Sequence, residues 1–291
     1  MAWIFFTLLA AFMQTGRNAL QSKLSSSVST SGVTLARFLF ASPIAAVYLF
    51  TLYVFSPQAI PDFSLTFLVY VGIAACLQIL ATALMVVLFK QKNFAIGAGL
   101  AKSEALVAGV IGMLFFGSQL SVLGWGGILL GTLAIFMLSG LLKKDSFSVR
   151  TVFIGLACGT SFALTSLYVR EASLALDLPF PHKAAWVLVW VLCVQTVLLL
   201  IYIAYKEPHT FVQLKAHKKL TLATSFTSCI GSIGWFSAMS LQYVAYVKTL
   251  GQIEVLFTIF LSTFWLKQRV KRNELIGLLL ISIAAILVMW Q

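Results

Sequence analysis

Between Asn93 and Gly117 the chain reads NFAIGAGLAKSEALVAGVIGMLFFG, apolar and long enough to cross a bilayer, yet Lys102 and Glu104 stand near its middle. A hydrocarbon core about 30 Å thick takes about 20 apolar residues in helix. A charged centre at mid-depth costs about 2.5–3.5 kcal/mol on insertion scales, so both residues must be buried against other helices. A second segment, Tyr243 to Leu266, reads YVAYVKTLGQIEVLFTIFLSTFWL and sets Glu254 150 residues after Glu104. The same offset relates Ala95 to Ala245, Leu100 to Leu250, Leu106 to Leu256, Gly127 to Gly277 and Ala134 to Ala284. The spacing predicts a duplicated unit.

The remainder of the chain extends this pattern. Of its 291 residues 60% are hydrophobic and the mean hydropathy is +1.00, well outside the range of soluble domains. Turn signals divide it into ten apolar runs, roughly 2–21, 32–54, 64–89, 93–116, 119–141, 151–173, 184–205, 220–241, 243–266 and 274–290. Five runs per unit reverse the orientation of the second unit. The expected fold is an all-α membrane protein with ten transmembrane helices in two inverted five-helix repeats, 1–141 and 151–291, joined by a basic linker at 142–150. The apolar run starts at Ala2 without a charged leader, so the first span is expected to stay in place.

A net charge of +12 would suggest nucleic acid in a soluble protein, but these cations fall in short tracts between apolar runs and form no basic reading face. Arg37, Lys102 and Lys248 lie deep inside runs, and Arg170, near the end of its run, and Lys183 fall toward one side. The fifteen other Lys and Arg, Arg17 among them, fall on the opposite side. By the positive-inside rule that side is cytoplasmic and both termini lie outside. The 206–219 connection mixes Phe211, Val212 and Leu214 with lysines and reads as a solvated loop, with anionic headgroups as the alternative.

Several polar residues are candidates for a site. Gln14, Arg17, Asn18 and Gln21 make one stripe on the first span, which either faces the bundle or emerges at the headgroups. Arg37, some five residues into the second span, is deep enough to count but could snorkel. Gln78 and Thr82 share a face of the third span, and Thr224, Ser228 and Ser232 share one on the eighth with Trp235 nearby. Lys102 and Glu104 lie about 200° apart around a helix, so each needs a partner from another span. Lys248 is shallower and could snorkel, with Gln252 on its face one turn on. Gly97, Gly99 and Gly251, just before the glutamates, permit a broken helix whose exposed half-helix N-termini would favour anionic groups. Gly127-x-x-x-Gly131 and Gly155-x-x-x-Gly159 allow close approach of helices inside one bundle and leave monomer or homodimer open. Cys76, Cys158, Cys193 and Cys229 sit alone in separate runs and read as buried thiols. His182, His209 and His217 read as solvated loop residues without metal-ligand spacing, so neither metal nor cofactor is expected.

The layout, the LARFLFASP stretch around Arg37 and the closing ELIGLLLISIAAILVM helix resemble the drug/metabolite transporter superfamily in its ten-span, EamA-like form. The resemblance covers nearly the whole chain and implies a secondary transporter, often an exporter, with a central cavity between the repeats. Many such relatives carry a proline where Glu104 and Glu254 stand here, and they are usually described with cytoplasmic termini.

A cavity with Arg37, Lys102 and Lys248 facing Glu104 and Glu254 suits a small polar or zwitterionic metabolite such as an amino acid, bound by these residues with Gln252, Gln78 and Trp235 and moved by alternating access in a bacterial inner membrane. Glu104 and Glu254 are also the proton-coupling candidates, since two acids close together in a dry site are poised to exchange a proton. The alternatives are a proton-coupled exporter of cationic drugs and a flippase for a lipid-linked headgroup. An intramembrane enzyme would need a nucleophile, base or metal set, and the sequence contains no H-E-x-x-H, no G-x-S-x-G and no paired intramembrane aspartates.

Overall fold

The computed structural model describes residues 1–91, 99–138, 149–266 and 272–290, and every regular element among them is α-helical. In chain order these are α1 (Ala2–Ser25), α2 (Thr30–Phe38), α3 (Ala41–Phe55), α4 (Leu65–Phe89), α5 (Glu104–Phe115), α6 (Val122–Leu138), α7 (Val149–Leu174), α8 (His182–Lys206), α9 (His209–Ala216), α10 (Lys218–Leu241), α11 (Val244–Gly251), α12 (Glu254–Leu266) and α13 (Arg272–Met289). Gly97, the start of the fourth run at Asn93, most of the 142–150 linker and the basic tract from Lys267 to Lys271 lie outside the described residues.

Among the described residues, four stretches are long and apolar enough to cross a membrane: Thr30–Phe55, Leu65–Phe89, Val149–Leu174 and His182–Lys206, with α6 and Ile276–Met289 apolar but shorter. The protein is thus an integral, multi-pass membrane protein by composition. The helices α1 and α10 have 24 residues each but are broken in composition by polar residues, and these are turned inward. Thr15, Arg17, Gln21, Thr224, Ser228 and Ser232 are all buried. Burial there requires polar partners on neighbouring helices, because lipid supplies none.

The most extensive contacts join α1 to α10, α4 to α7 and α6 to α13; α5 packs on α11 and α3 on α8. Close approach is bought by small residues. A methyl group added at Gly127 would meet Ala284 O at 2.9 Å, and one at Gly159 would meet Ala101 O at 2.8 Å. Both small-residue motifs therefore face neighbouring helices of the same chain.

Local signals account for the helix ends. Ser29 and Ser64 cap α2 and α4, each side-chain oxygen accepting from the third residue on, Gly32 N–H and Phe67 N–H, at 3.2 Å. Gly117 ends α5 at φ +61°, and Ser118 N–H closes on Gly112 O at 2.9 Å, a left-handed closure that glycine allows without a Cβ clash.

One run expected to be continuous is interrupted. The second span divides at Leu39–Phe40 into α2 and α3, because Pro43 in the first turn of α3 has no N–H to donate and its ring crowds the preceding turn. Side chains of α8 and α10 meet the freed backbone groups. Phe40 N–H donates to Ser225 Oγ at 3.3 Å, Ser225 Oγ donates to Ala36 O at 2.6 Å, and Thr196 Oγ1 donates to Phe38 O at 3.2 Å.

The connections gather at two ends. At one, Lys90 Nζ donates to Val28 O at 3.2 Å, Ser29 N–H to Gln213 Oε1 at 3.1 Å, and Ser31 Oγ to Glu207. At the other, Tyr53, Phe63, His182 and Trp186 form an aromatic cluster. His182 is buried, 5.0 Å edge-on to Tyr53, which corrects the expectation of a solvated loop histidine. Its place in a proline-containing connection beside Lys183 hid the aromatic pocket that forms only when α3 meets α8. Of the four cysteines, Cys158 and Cys229 are buried while Cys76 and Cys193 are exposed, the latter pair lying on outward faces of apolar helices.

Candidate functional site

The site forms where two helices break. Residues 99–101 are helical, then Lys102 N–H bonds to Gly99 O and Ser103 N–H to Leu100 O, both at 3.0 Å, before α5 begins at Glu104. In the other half Gln252 N–H bonds to Thr249 O and Ile253 N–H to Leu250 O, both at 3.1 Å, before α12 begins at Glu254. These tightened turns stand 150 residues apart, position for position. Each glutamate opens a half-helix, where the dipole favours a carboxylate, and Lys248 lies in the last turn of α11, where it favours a cation.

The charges pair across the halves of the chain. Lys102 bonds to Glu254, and Lys248 Nζ lies 3.2 Å from Glu104. Glu254 receives two more donors from α1, Gln14 Nε2 at 2.6 Å and Asn18 Nδ2 at 2.7 Å. Trp235 Nε1 donates to Gln14 Oε1 at 3.0 Å, and its ring lies beneath Lys248 Nζ at 4.4 Å from the centroid. One network thus ties α1, α5, α10, α11 and α12 together. Removing charges from water costs several kcal/mol per ion even after relaxation, roughly offset by such pairing and hydrogen bonding.

Two guanidinium groups are treated differently. Arg17 is 4% exposed and donates to Asn18 Oδ1 at 3.0 Å; Arg37 is 3% exposed and donates to Thr82 Oγ1 at 2.7 Å. Neither forms an ion pair among the described residues, and the Nε of each has no hydrogen-bond partner. Arg37 lies 5.3 Å from the centroid of Phe38 and 5.9 Å from that of Phe162, aromatic faces that partly hold its charge. Neither Arg37 nor Lys248 snorkels, and Arg17 is not a loop charge. Each has a polar or aromatic partner inside the bundle that sequence depth could not reveal.

Arg17, Arg37, Lys102, Glu104 and Lys248 line one central cavity with Gln14, Asn18, Gln78, Trp235 and the α7 residues Phe162, Thr165 and Ser166. Its free space is about 40 Å³, room for a few waters. Gln78 accepts from Gln195 Nε2 at 2.7 Å. Glu254 sits just behind the wall, held by the cavity residues Gln14, Asn18 and Lys102. Gln252 points elsewhere, its amide against Gly131 on α6, and joins no network in the cavity. The α1 stripe is visible in the sequence, but the pairing of Gln14 and Asn18 with Glu254 is not, and Thr165 and Ser166 carry no sequence signal. Among the described residues no group of three His, Cys, Asp or Glu side chains gathers as a metal site.

Residues 149–290 match the model of the EamA-like transporter family. No curated protein matches the chain in sequence. A protein known from its crystal structure, 15% identical, superposes with a TM-score of 0.72 over 99% of this chain and 96% of its own, a likeness of fold.

Proposed function

We propose that the chain is a secondary active transporter of a small zwitterionic metabolite such as an amino acid, on the premise that residues 149–290 match the EamA-like transporter family of the drug/metabolite transporter superfamily, whose members are transporters and not enzymes. The observation that carries this reading is the charge arrangement of the cavity: two buried guanidinium groups without a carboxylate, beside two glutamates that lysines of the opposite half neutralise. The substrate carboxylate docks on Arg17 and Arg37, and its ammonium group takes the place of Lys248 at Glu104. A lipophilic cation would meet a surplus of positive charge there, which argues against the drug-exporter alternative.

In this reading 1–141 and 151–291 are inverted repeats, supported by the matching breaks before Glu104 and Glu254 and by the contact pattern. Exchanging each span for its counterpart turns the α1–α10 contact into α7–α4 and leaves the α6–α13, α5–α11 and α3–α8 pairs in place. Alternating access follows from rocking one repeat against the other about the broken helices. Protons are the proposed coupling ion, export through the inner membrane the proposed direction, and Lys102, Glu104, Lys248, Glu254, Arg17, Arg37, Gln78 and Trp235 the proposed site.

The test is uptake by the purified full chain in liposomes, comparing an amino-acid panel with the corresponding amides and decarboxylated amines. Saturable flux of the zwitterions, with weaker flux of both analogue sets, is expected. Preference for the amines would overturn the docking of a carboxylate, and non-saturating flux would overturn the carrier.

A further inference from the structure

At the lysine-rich end of the bundle, away from the central cavity, the short helix α9 leans over the break between α2 and α3. Between them lies a groove of about 550 Å³. Its wall is made by Leu39 and Phe40 at the break, Leu214 of α9 and Leu222 of α10, with Phe40 and Leu222 exposed. Its rim carries Lys215, Lys218 and Lys219, all exposed. A second hollow on the far side of the α9–α10 elbow, about 540 Å³, shares Lys218 and Lys219 and adds Lys23. No carboxylate pairs with these four lysines among the described residues. The nearby Glu207 is engaged with Ser31 and Thr210.

Depth identifies the surroundings. The helix α10 has 24 residues and so spans about 36 Å, against a hydrocarbon core of about 30 Å. Its first turn, with Lys218 and Lys219, stands at headgroup level, while Leu222 and Phe40 begin the acyl region. An apolar slot that opens toward hydrocarbon beneath a ring of free ammonium groups is complementary to one ligand class, an amphiphile with an anionic head.

We infer that the groove between α9, α10 and the α2–α3 break is a binding site for an anionic phospholipid, its phosphate between Lys215, Lys218 and Lys219 and an acyl chain along Phe40 and Leu222. The lipid would brace α9 against the interrupted second span and so bear on how easily α2 and α3 move apart. This site is independent of what the central cavity transports.

The experiment is native mass spectrometry of the full chain in detergent, titrated with phosphatidylglycerol or phosphatidylcholine of equal chain length. Phosphatidylglycerol is expected to be retained in preference. The triple variant Lys215→Gln, Lys218→Gln, Lys219→Gln should lose that preference by roughly a hundredfold, three surface lysines at about a factor of five each. Leu222→Trp fills the slot without changing charge and should also weaken retention, whereas soluble glycerophosphate should not bind measurably. Equal retention of the two lipids would overturn the inference. So would wild-type retention by Leu222→Trp, which would mean diffuse surface attraction, or glycerophosphate binding as tightly as the lipid, which would mean a free-phosphate site. All four substitutions are at exposed positions, and unchanged thermal unfolding of each variant establishes that lost binding is not lost fold.

Discussion

Lys248 and Glu104 meet at 3.2 Å although they come from opposite halves of the chain, and both are almost fully buried. Deleting one member of such a pair strands the other charge, at a cost of about 3–5 kcal/mol, whereas deleting both removes the problem. Lys248→Met alone should therefore unfold at lower temperature than the double variant Lys248→Met, Glu104→Gln. A double variant no more stable than the single would show that the pair does not hold the two halves together.

Among the described residues Glu254 has three side-chain donors and Glu104 a single lysine. Fixed donors hold a carboxylate in place, so Glu104, the less constrained of the two, is the acid expected to serve in proton coupling. Transport by Glu104→Gln in liposomes with an imposed proton gradient should lose its pH dependence from mildly acid to mildly alkaline conditions, while Glu254→Gln should lose rate and keep the profile. A wild-type profile from Glu104→Gln would remove it from proton coupling.

Arg17→Gln and Arg37→Gln test the carboxylate dock. Hydrogen bonds to a charged group are worth about 1.5–3 kcal/mol, so each variant should raise the KM for a zwitterion roughly ten- to hundredfold. The KM for the amide analogue should change little. Equal losses for acid and amide would assign both arginines to packing.

At Gly127 an added methyl would press on Ala284 O at 2.9 Å and on Val288 Cγ2 at 2.6 Å. Backbone cannot give way as a flexible side chain can. Gly127→Ala is expected to destabilise the protein by about 1–3 kcal/mol without altering its oligomeric state, read by thermal unfolding and light scattering. A shift in subunit number would mean that α6 also meets a second copy.

Orientation is testable directly. With the basic connections inside, a reporter active only in the cytoplasm should be silent when fused after Gln291 and active in the 206–219 connection. The reverse result would place both termini in the cytoplasm.

The positions of Glu104 and Glu254 were legible in sequence because an ionisable residue in an apolar run is conspicuous and the 150-residue offset repeats it. Their partners were not. Lys102 and Glu254 meet through the packing of α5 against α11 and of α1 against α12, a long-range arrangement that local periodicity does not encode. Pro43 was visible, yet the run around it read as continuous, since the groups that accept the broken backbone, Ser225 and Thr196, lie on other helices. Lys248 and Arg37 looked able to snorkel because depth along a helix says nothing about which face turns inward. Gln252 shared a face with Lys248 on a regular helix, and the turn at 252–253 rotates it away toward Gly131.

The narrowness of the central cavity sets how its affinity should be understood. With about 40 Å³ free, this conformation admits water and excludes an amino acid, so ligand binds only to the fraction of molecules that have opened. The measured Kd is then the intrinsic constant divided by that fraction. Substitutions that loosen the crossed lysine–glutamate pairs without touching the ligand will tighten apparent binding, and an inhibitor large enough to need the halves apart will be weakened by the same opening cost and will benefit from the same substitutions.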